Sequence, residues 1–214
     1  MTERVSAIIL AGGQGVRMGR ENKGLVSFNG KPLIQSAIDR IAPQVDELII
    51  SANQNISAYQ SLGYSVVEDG DENLGPLSGI LSSSRIAKNA LILVVPCDMP
   101  FLPTDLVKRM TQHFDSQAVS IFANNRLQPL VTIIKSEAIE SIKPYLARGQ
   151  RSVTGWLEEI DASELNWLEG SAGEDPAIEH IPENMSAARE NAFKNINSLE
   201  DLTAVEHRVK KPRG

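Results

Sequence analysis

The sequence predicts an α/β protein whose largely parallel sheet lies between two layers of helices, an α/β/α arrangement. Short apolar runs typical of strands buried on both faces, at residues 5–10 and 90–95, alternate with stretches whose apolar residues recur at helical spacing. Strands that alternate with helices favour βαβ units and parallel pairing. The 214 residues are an ordinary size for one α/β domain, so we expect a single domain over residues 1–214.

The first strand, at residues 5–10, runs directly into a glycine-rich loop. The loop contains Gly12, Gly13, Gly15 and Gly19. Such a loop exposes backbone N–H groups to an approaching anion, because glycine has no side chain to obstruct it. Arg17 and Lys23 add positive charge beside these donors. This combination predicts a site for the phosphates of a nucleotide.

Two common nucleotide-binding patterns do not fit the loop. The dinucleotide pattern needs G-x-G-x-x-G and an acidic residue after the second strand, but residues 13–19 read G-x-G-x-x-x-G and residues 51–53 read S-A-N. The P-loop needs Ser or Thr after its lysine, but Gly24 follows Lys23. The order L-A-G-G-x-x-x-R-M-G-x-x-x-K instead resembles the signature of nucleotidyltransferases, which move a nucleoside monophosphate from an NTP to a phosphate acceptor.

Apolar spacing and turn signals predict the elements up to residue 87. A helix opens at residues 31–33, because proline suits a first helical turn, and Pro43 ends it. The next elements are expected in this order: a strand at 48–51, a short helix within 53–62, a strand at 65–68 and a helix over 77–87. Gly79 inside the last helix costs about 1 kcal/mol against alanine, which indicates close approach of a ligand or of the sheet.

The run at residues 90–95 is the most hydrophobic in the chain, so we expect it at the centre of the sheet. Thr104 is the expected N-cap of the next helix, which ends near residue 114. Later elements are expected as strands at 118–123 and 130–135 with an antiparallel pair among them, helices at 137–146 and 153–160, a strand at 193–197 and a last helix capped by Ser198. Residues 161–190 have a weak pattern, with an exposed loop at 170–182.

Composition and charge exclude several classes of protein. A net charge of −6 argues against general nucleic-acid binding, which usually shows a basic surface. No apolar run approaches the ~18 residues of a membrane helix, and the N-terminus lacks the pattern of a signal peptide. The single cysteine, Cys97, excludes an internal disulfide. We therefore expect a soluble, cytoplasmic protein whose partners include neither nucleic acid nor a membrane.

Two acidic residues follow predicted strands. Asp98 comes just after the strand at 90–95, at the carboxyl end where open α/β sheets place ligands. Magnesium prefers carboxylate and phosphate oxygens, so Asp98 is our first candidate for a metal ligand, with a helix N-cap as the alternative. Asp69 would contact ribose or metal, or is a solvated turn residue. Lys23 and Arg17 would neutralise phosphate charge, or form surface salt bridges.

Taken together, these segments make the chain resemble the molybdenum cofactor guanylyltransferases. The resemblance rests on LAGGQGVRMG with Lys23, NGKPL at 29–33, GPLSGI at 75–80, PCDMPF at 96–101 and FKNINSLEDL at 193–202, in order over nearly the whole chain. It implies a Rossmann-like nucleotidyltransferase fold with an N-terminal nucleotide-binding part and a C-terminal acceptor-binding part. The implied reaction transfers GMP from GTP to the terminal phosphate of molybdenum-loaded molybdopterin, with Mg²⁺ as cofactor and pyrophosphate as second product.

The resemblance also implies roles for individual residues. Lys23 and Asp98 would be catalytic, with Lys23 binding phosphates and Asp98 binding magnesium. The implied nucleotide-binding residues are Leu10, Ala11, Gly12, Gly13, Arg17, Lys23, Ser51, Asp69 and Asp98. The implied acceptor-binding residues are Gly79, Pro129, Asn195 and Asn197. Beyond GTP and molybdopterin, the candidate partners are molybdoenzymes, their chaperones and other cofactor-biosynthesis proteins.

One position departs from the family pattern. Ser51 stands where the family often has the first asparagine of N-A-N, so either the serine keeps one hydrogen bond to the nucleotide or Asn53 takes over the contact. Two alternatives to the guanylyltransferase remain open. One is a related transferase that uses CTP or a sugar phosphate, against which GPLSGI and N-x-N-S argue. The other is a GTP-binding protein that holds or delivers the cofactor and releases no pyrophosphate.

Overall fold

The computed structural model describes residues 3–12, 22–69, 74–168, 192–196 and 201. The strands in this part of the chain are β1 (Val5–Leu10), β2 (Ser27–Phe28), β3 (Lys31–Pro32), β4 (Glu47–Ser51), β5 (Ser65–Val67), β6 (Leu91–Pro96), β7 (Ala118–Ala123), β8 (Arg126–Lys135) and β9 (Ser163–Asn166). The α-helices are α1 (Leu33–Ile41), α2 (Ile56–Gln60), α3 (Pro76–Ser84), α4 (Leu106–Gln112), α5 (Ser136–Ile139), α6 (Ile142–Ala147) and α7 (Val153–Glu159).

The main sheet has seven strands in the order β5-β4-β1-β6-β8-β7-β9, and β2 and β3 form a separate hairpin. Within the main sheet β8 is antiparallel to both neighbours, whereas the other pairs are parallel. The predicted α/β fold with a mostly parallel sheet is confirmed. The apolar run at 90–95 becomes β6 at the centre of the sheet, as predicted, and the predicted antiparallel pair is β7 with β8.

Alternate residues of β1 face two separate hydrophobic cores. On one face Ile9 packs in a cluster with Ile38 of α1 and Met110 of α4. On the other face Ile8 packs in a cluster that includes Trp156 of α7. Helices therefore cover both faces of the sheet, which confirms the three-layer arrangement and explains why β1 is apolar without alternation.

Three parallel strands end at the same level of the sheet. Leu10, the last residue of β1, pairs with Ser51 of β4 on one side and with Pro96 of β6 on the other. The chain beyond the strands stays in register, because the Ala11 N–H donates to the Ser51 carbonyl at 2.8 Å and the Cys97 N–H donates to the Leu10 carbonyl at 3.0 Å. The residues that follow these strands therefore emerge side by side at one edge.

The sequence pattern does not predict β9, which lies within the region of weak periodicity. This strand pairs in parallel with β7 at the edge of the sheet, and of its four residues only Leu165 is buried. A strand with one buried position gives too little alternation to be recognised.

Several local predictions are corrected by the structure. The strand predicted at 193–197 is wrong over residues 193–196, which have no regular structure, and Asn197 and Ser198 lie outside the described residues. Thr104 does not cap α4, because a turn precedes the helix and Asp105 occupies the N-cap position. The helix predicted at 137–146 divides into α5 and α6. The first helix begins at Leu33 rather than Lys31, because residues 31–32 pair with β2.

No helix in the described ranges combines the length and the apolar character that crossing a bilayer requires.

Candidate active site

A cleft of about 270 Å³ opens at the edge where the parallel strands end. Its lining includes residues 10–12 at the end of β1, residues 96–98 at the end of β6 and residues from six other segments. The polar side chains that line it are Asn22, Lys23, Asn53, Gln54, Asp69, Asp98 and Asn195. The cleft therefore forms at the sheet edge where the sequence predicts a ligand site.

A divergence of β8 from β6 gives the cleft its width. The two strands pair from Leu91 only as far as Val94, although β6 continues to Pro96. At this point β8 also bulges away from β7, with residues 129–131 inserted between two consecutive pairs of the ladder. Leu130 in this bulge lines the cleft. Pro129 lies beside it in the same bulge, and its carbonyl accepts a hydrogen bond from Thr132 Oγ1 at 3.0 Å.

Asp98 lies just beyond β6 and binds two distant segments of the chain. Its side-chain carboxylate forms an ion pair with Lys23 Nζ, and Asn195 Nδ2 lies 3.2 and 3.3 Å from the two carboxylate oxygens. The Ile196 N–H donates to the Asp98 carbonyl at 2.9 Å. Asp98 is only 8% exposed, so these partners compensate a largely buried charge. The structure thus brings together Lys23, Asp98 and Asn195, three residues that the sequence places in the site.

The second acidic residue, Asp69, accepts hydrogen bonds from Ser51 and Asn53. Ser51 Oγ donates to Asp69 Oδ1, and Asn53 Nδ2 donates to Asp69 Oδ2 at 3.3 Å. The Asp69 N–H in turn donates to Asn53 Oδ1 at 2.8 Å. Asn53 and Asp69 line the cleft, whereas Ser51 is fully buried behind them. A direct contact between Ser51 and a nucleotide stays a prediction, and the contact that the structure gives Ser51 is with Asp69.

Two glycines allow Asp69 to approach the backbone. A Cβ at Gly12 would lie 2.9 Å from Asp69 Oδ2, and a Cβ at Gly79 would lie 2.5 Å from Ser51 Oγ and 2.9 Å from Asp69 Oδ1. The glycine inside α3 is therefore explained by the side chains packed against it. Gly79 lies behind Ser51 and Asp69 rather than in the lining of the cleft, so its contact with an acceptor stays a prediction.

The remaining predicted residues are placed as follows. Leu10, Ala11 and Gly12 line the cleft at the end of β1. Of these groups the Leu10 carbonyl and the Ala11 N–H are already hydrogen-bonded within the sheet edge. Gly13, Arg17 and Asn197 lie outside the described residues.

The donors in the cleft fit a magnesium ion that is bound together with phosphates. Mg²⁺ is usually held by one or two carboxylates, substrate phosphates and waters, and Asp98 and Asp69 supply carboxylates of this kind. Within the described ranges no cluster of three or more His, Cys, Asp or Glu residues forms an all-protein metal site. Asn195 Oδ1 is buried and accepts no hydrogen bond from the described residues, which leaves an acceptor for a ligand's donor group.

Sequence patterns missed Tyr59 and Asn22. The buried Tyr59 hydroxyl on α2 donates to Asn22 Oδ1, directly before Lys23. Burial raises the pKa of Tyr59 well above its ordinary value, so this hydroxyl stays protonated and remains a donor. A Cβ at Gly24 would lie 2.5 Å from the hydroxyl oxygen, so a glycine is needed here. The signal available in the sequence was a tyrosine among the apolar positions of a short helix, which indicates only burial.

Cys97 is buried, and its surroundings do not activate it as a nucleophile. Burial, with a smaller contribution from the neighbouring Asp98 charge, raises the pKa of the Cys97 thiol to about 12. The thiol is therefore protonated at neutral pH. This confirms the interpretation of Cys97 as a small buried side chain.

Comparison with known proteins identifies the family. The family model of the MobA-like NTP transferase domain matches residues 7–162. The chain is 34% identical over 215 residues to the molybdenum cofactor guanylyltransferase of Shewanella sediminis, covering 99% of this chain and 100% of that protein. It is 37% identical over 206 residues to the enzyme of the same name from Shewanella amazonensis, covering 94% and 95% of the two chains.

Solved structures share the fold at much lower sequence identity. Molybdopterin-guanine dinucleotide biosynthesis protein A from Archaeoglobus fulgidus superposes with a TM-score of 0.74 at 19% identity, covering 97% of this chain and 100% of that one. A 4-diphosphocytidyl-2C-methyl-D-erythritol synthase from Anaerococcus prevotii has a TM-score of 0.67 at 13% identity, with coverage of 98% and 97%. Proteins with differently named activities therefore share this architecture.

Gly79→Ala is expected to lower the free energy of unfolding by about 1–3 kcal/mol, because the new Cβ would force Ser51 and Asp69 to move. Urea denaturation measures this change. Ser51→Ala removes the oxygen nearest to the new Cβ, so Gly79→Ala should cost less in the Ser51→Ala background than in the wild type. An equal cost in both backgrounds would show that this contact does not require glycine.

Cys97 is expected to resist alkylation in the native protein. With a pKa of about 12, the thiolate is a fraction of about 10⁻⁴ at pH 8, and the buried sulfur is screened from reagent. Labelling by iodoacetamide at pH 8 should therefore be at least about 100-fold slower than for the same protein in urea. Mass spectrometry measures both rates, and comparable rates would contradict the protected thiol.

Proposed function

Because the chain belongs to the MobA-like NTP transferase family, with molybdenum cofactor guanylyltransferases as relatives over its full length, we propose that it transfers GMP from GTP to molybdenum-loaded molybdopterin. The products are the guanine dinucleotide form of the cofactor and pyrophosphate. The observation that carries this proposal is the position of Asp98, fixed by Lys23 and Asn195 in a cleft at the ends of parallel strands. A phosphate-transfer site needs such a charged group where two phosphorylated substrates meet.

On the nucleotide side, the backbone of residues 10–12 and the Asp69 carboxylate face GTP. Asn53 holds Asp69 in place through both ends of its carboxamide, and the Ser51 hydroxyl donates a further hydrogen bond to it. A carboxylate fixed in this way accepts hydrogen bonds from ribose hydroxyls. The predicted phosphate ligands Gly13 and Arg17 would complete this side of the site from the glycine-rich loop.

Asp98 and Lys23 compensate the negative charge of the phosphates, Asp98 through a bound metal ion and Lys23 directly. Asp98 would hold Mg²⁺, which when bound neutralises the charge of triphosphate oxygens and orients them for displacement. Lys23 carries an ammonium group that donates to phosphate oxygens while it stays near the Asp98 carboxylate. Both groups are held at the sheet edge before substrate arrives, so little reorganisation is needed during the reaction.

On the acceptor side, Asn195 offers its buried Oδ1 to an N–H group of the pterin. Pro129, Asn197 and Gly79 are the other residues proposed for this side. A terminal phosphate oxygen of molybdopterin attacks the α-phosphorus of GTP, and the bond from that phosphorus to the pyrophosphate oxygen breaks. The attacking phosphate is already ionised, so the site needs no strong general base.

We also propose the setting in which the enzyme works. Its substrates are GTP and molybdopterin, and its product would pass to molybdoenzymes, their chaperones or other cofactor-biosynthesis proteins. A cytoplasmic location is supported by the use of GTP. The acidic net charge of −6 argues against nucleic acid as a ligand.

Pyrophosphate release tests the proposed reaction directly. With Mg²⁺ present, GTP together with molybdenum-loaded molybdopterin is expected to give pyrophosphate, whereas GTP alone, ATP and CTP give none. Pyrophosphate release with CTP instead of GTP would indicate a related transferase that is specific for a different base. GTP binding without pyrophosphate release under any condition would indicate a protein that holds or delivers the cofactor.

Asp98→Asn is expected to lower kcat by at least about 100-fold, because it removes the charge that holds the metal and pairs with Lys23. Circular dichroism should show that the variant is folded, since asparagine keeps the shape of the side chain. The matched control is Asp105→Asn, which changes an exposed carboxylate that makes no capping hydrogen bond. A kcat close to that of the control would remove Asp98 from the catalytic residues.

A further inference from the structure

The segment of residues 192–196, which carries Asn195, is held in place by side chains rather than by a ladder of strand hydrogen bonds. Phe193 and Ile196 are each at most 1% exposed and act as its anchors in the core. The contacts of Asn195 with Asp98 are 3.2 and 3.3 Å long, at the upper end of hydrogen-bond distances. A small displacement of the segment would therefore remove them.

Phe193 rests against Trp167. The two rings are 5.2 Å apart between centroids and inclined at 78°, an edge-to-face arrangement. Trp167 directly follows β9, and its N–H donates to the Phe122 carbonyl at 3.0 Å, so the sheet fixes its backbone. Trp167 is 2% exposed. Trp167 therefore gives Phe193, which lies two positions before Asn195, a fixed surface to pack against.

Arg109 also contacts Trp167. The Arg109 Cζ atom lies 3.6 Å from the centroid of the Trp167 ring, which is a close cation–π contact. Arg109 Nη2 also donates to the Trp167 carbonyl at 2.8 Å. One guanidinium on α4 therefore holds both the ring and the backbone of Trp167, 58 residues away in the sequence. A lysine could not reproduce this planar stacking together with the hydrogen bond.

We propose that Arg109 and Trp167 are positioning residues for the acceptor half of the site, acting through Phe193 to set the Asn195 carboxamide against Asp98. This inference rests on the proposed function, in which Asn195 binds the acceptor. From Phe193 to Asn195 the chain covers at most about 7 Å, so movement of the phenyl ring is passed on to the carboxamide. Arg109 and Trp167 lie outside the lining of the cleft and contact neither Lys23 nor Asp69 among the described contacts.

The kinetic test uses variants at Arg109, which is half-buried and on a helix surface, because Trp167 variants risk misfolding. Arg109→Met is expected to raise the KM for molybdopterin about tenfold, with the KM for GTP unchanged within twofold. Arg109→Lys should have an intermediate effect. The matched control is Arg148→Met, which removes another arginine placed over an aromatic ring, that of Tyr145, away from the cleft. It should leave both KM values unchanged.

A double variant tests whether the effect of Arg109→Met on the KM for molybdopterin depends on Asn195. In the Asn195→Ala background, Arg109→Met should raise the KM for molybdopterin no further, because the carboxamide it positions is gone. Additive effects of the two substitutions would overturn the proposal. An equal rise in the KM values for GTP and molybdopterin would also overturn it, because that result indicates general loosening of the structure.

Hydrogen exchange gives a readout that does not depend on activity. The Ile196 N–H bonds to the Asp98 carbonyl, so its exchange should become about tenfold faster in Arg109→Met and stay unchanged in Arg148→Met. Unchanged exchange in Arg109→Met would overturn the positioning role. If the wild-type protein transfers no GMP, the proposed function fails, and the exchange rates still decide whether Arg109 positions this segment.

Discussion

The largely buried charge of Asp98 is the constraint on which the cleft depends. A carboxylate that is 8% exposed must be compensated, and removing one partner of such a pair costs about 3–5 kcal/mol. Lys23 supplies the opposite charge from 75 residues away, and Asn195 supplies amide donors from 97 residues away. The charge therefore holds an early and a late segment of the chain at the end of β6, and this convergence is what encloses the cleft.

The two carboxylates of the cleft have different partners among the described residues. Among the contacts that the structure describes, Asp98 is paired with a cation, whereas Asp69 accepts hydrogen bonds from Ser51 and Asn53. With one positive and two negative side chains, the described lining of the cleft carries a net charge of −1. A triphosphate adds further negative charge, so binding requires an added cation or the positive side chains of the glycine-rich loop. The charge of the described lining therefore agrees with the cation that the proposed function requires.

The sequence predicts features that depend on local patterns of residues, and it does not predict contacts between residues far apart in the chain. Apolar runs located β1 and β6, and their parallel pairing placed Asp98 at a ligand-binding edge. The edge strand β9 was missed because Leu165 is its one buried residue. The pair of Arg109 with Trp167 could not be predicted, because neither residue stands out locally and their contact spans 58 positions. Ser51 was identified, but the partner that defines its role, Asp69, emerged only from the packing.

The packing around Ser51 also limits where base selectivity can arise. The Ser51 hydroxyl is fully buried and donates its single proton to Asp69, and Gly79 closes the space behind it. In the structure this hydroxyl is therefore engaged with Asp69, and its contact with a nucleotide stays a prediction. Asn53 lines the cleft but uses both ends of its carboxamide to hold Asp69. Under the proposed function, if both side chains keep holding Asp69 when GTP binds, guanine is distinguished by other groups that line the cleft, which include Gln54 and the residues at the end of β1.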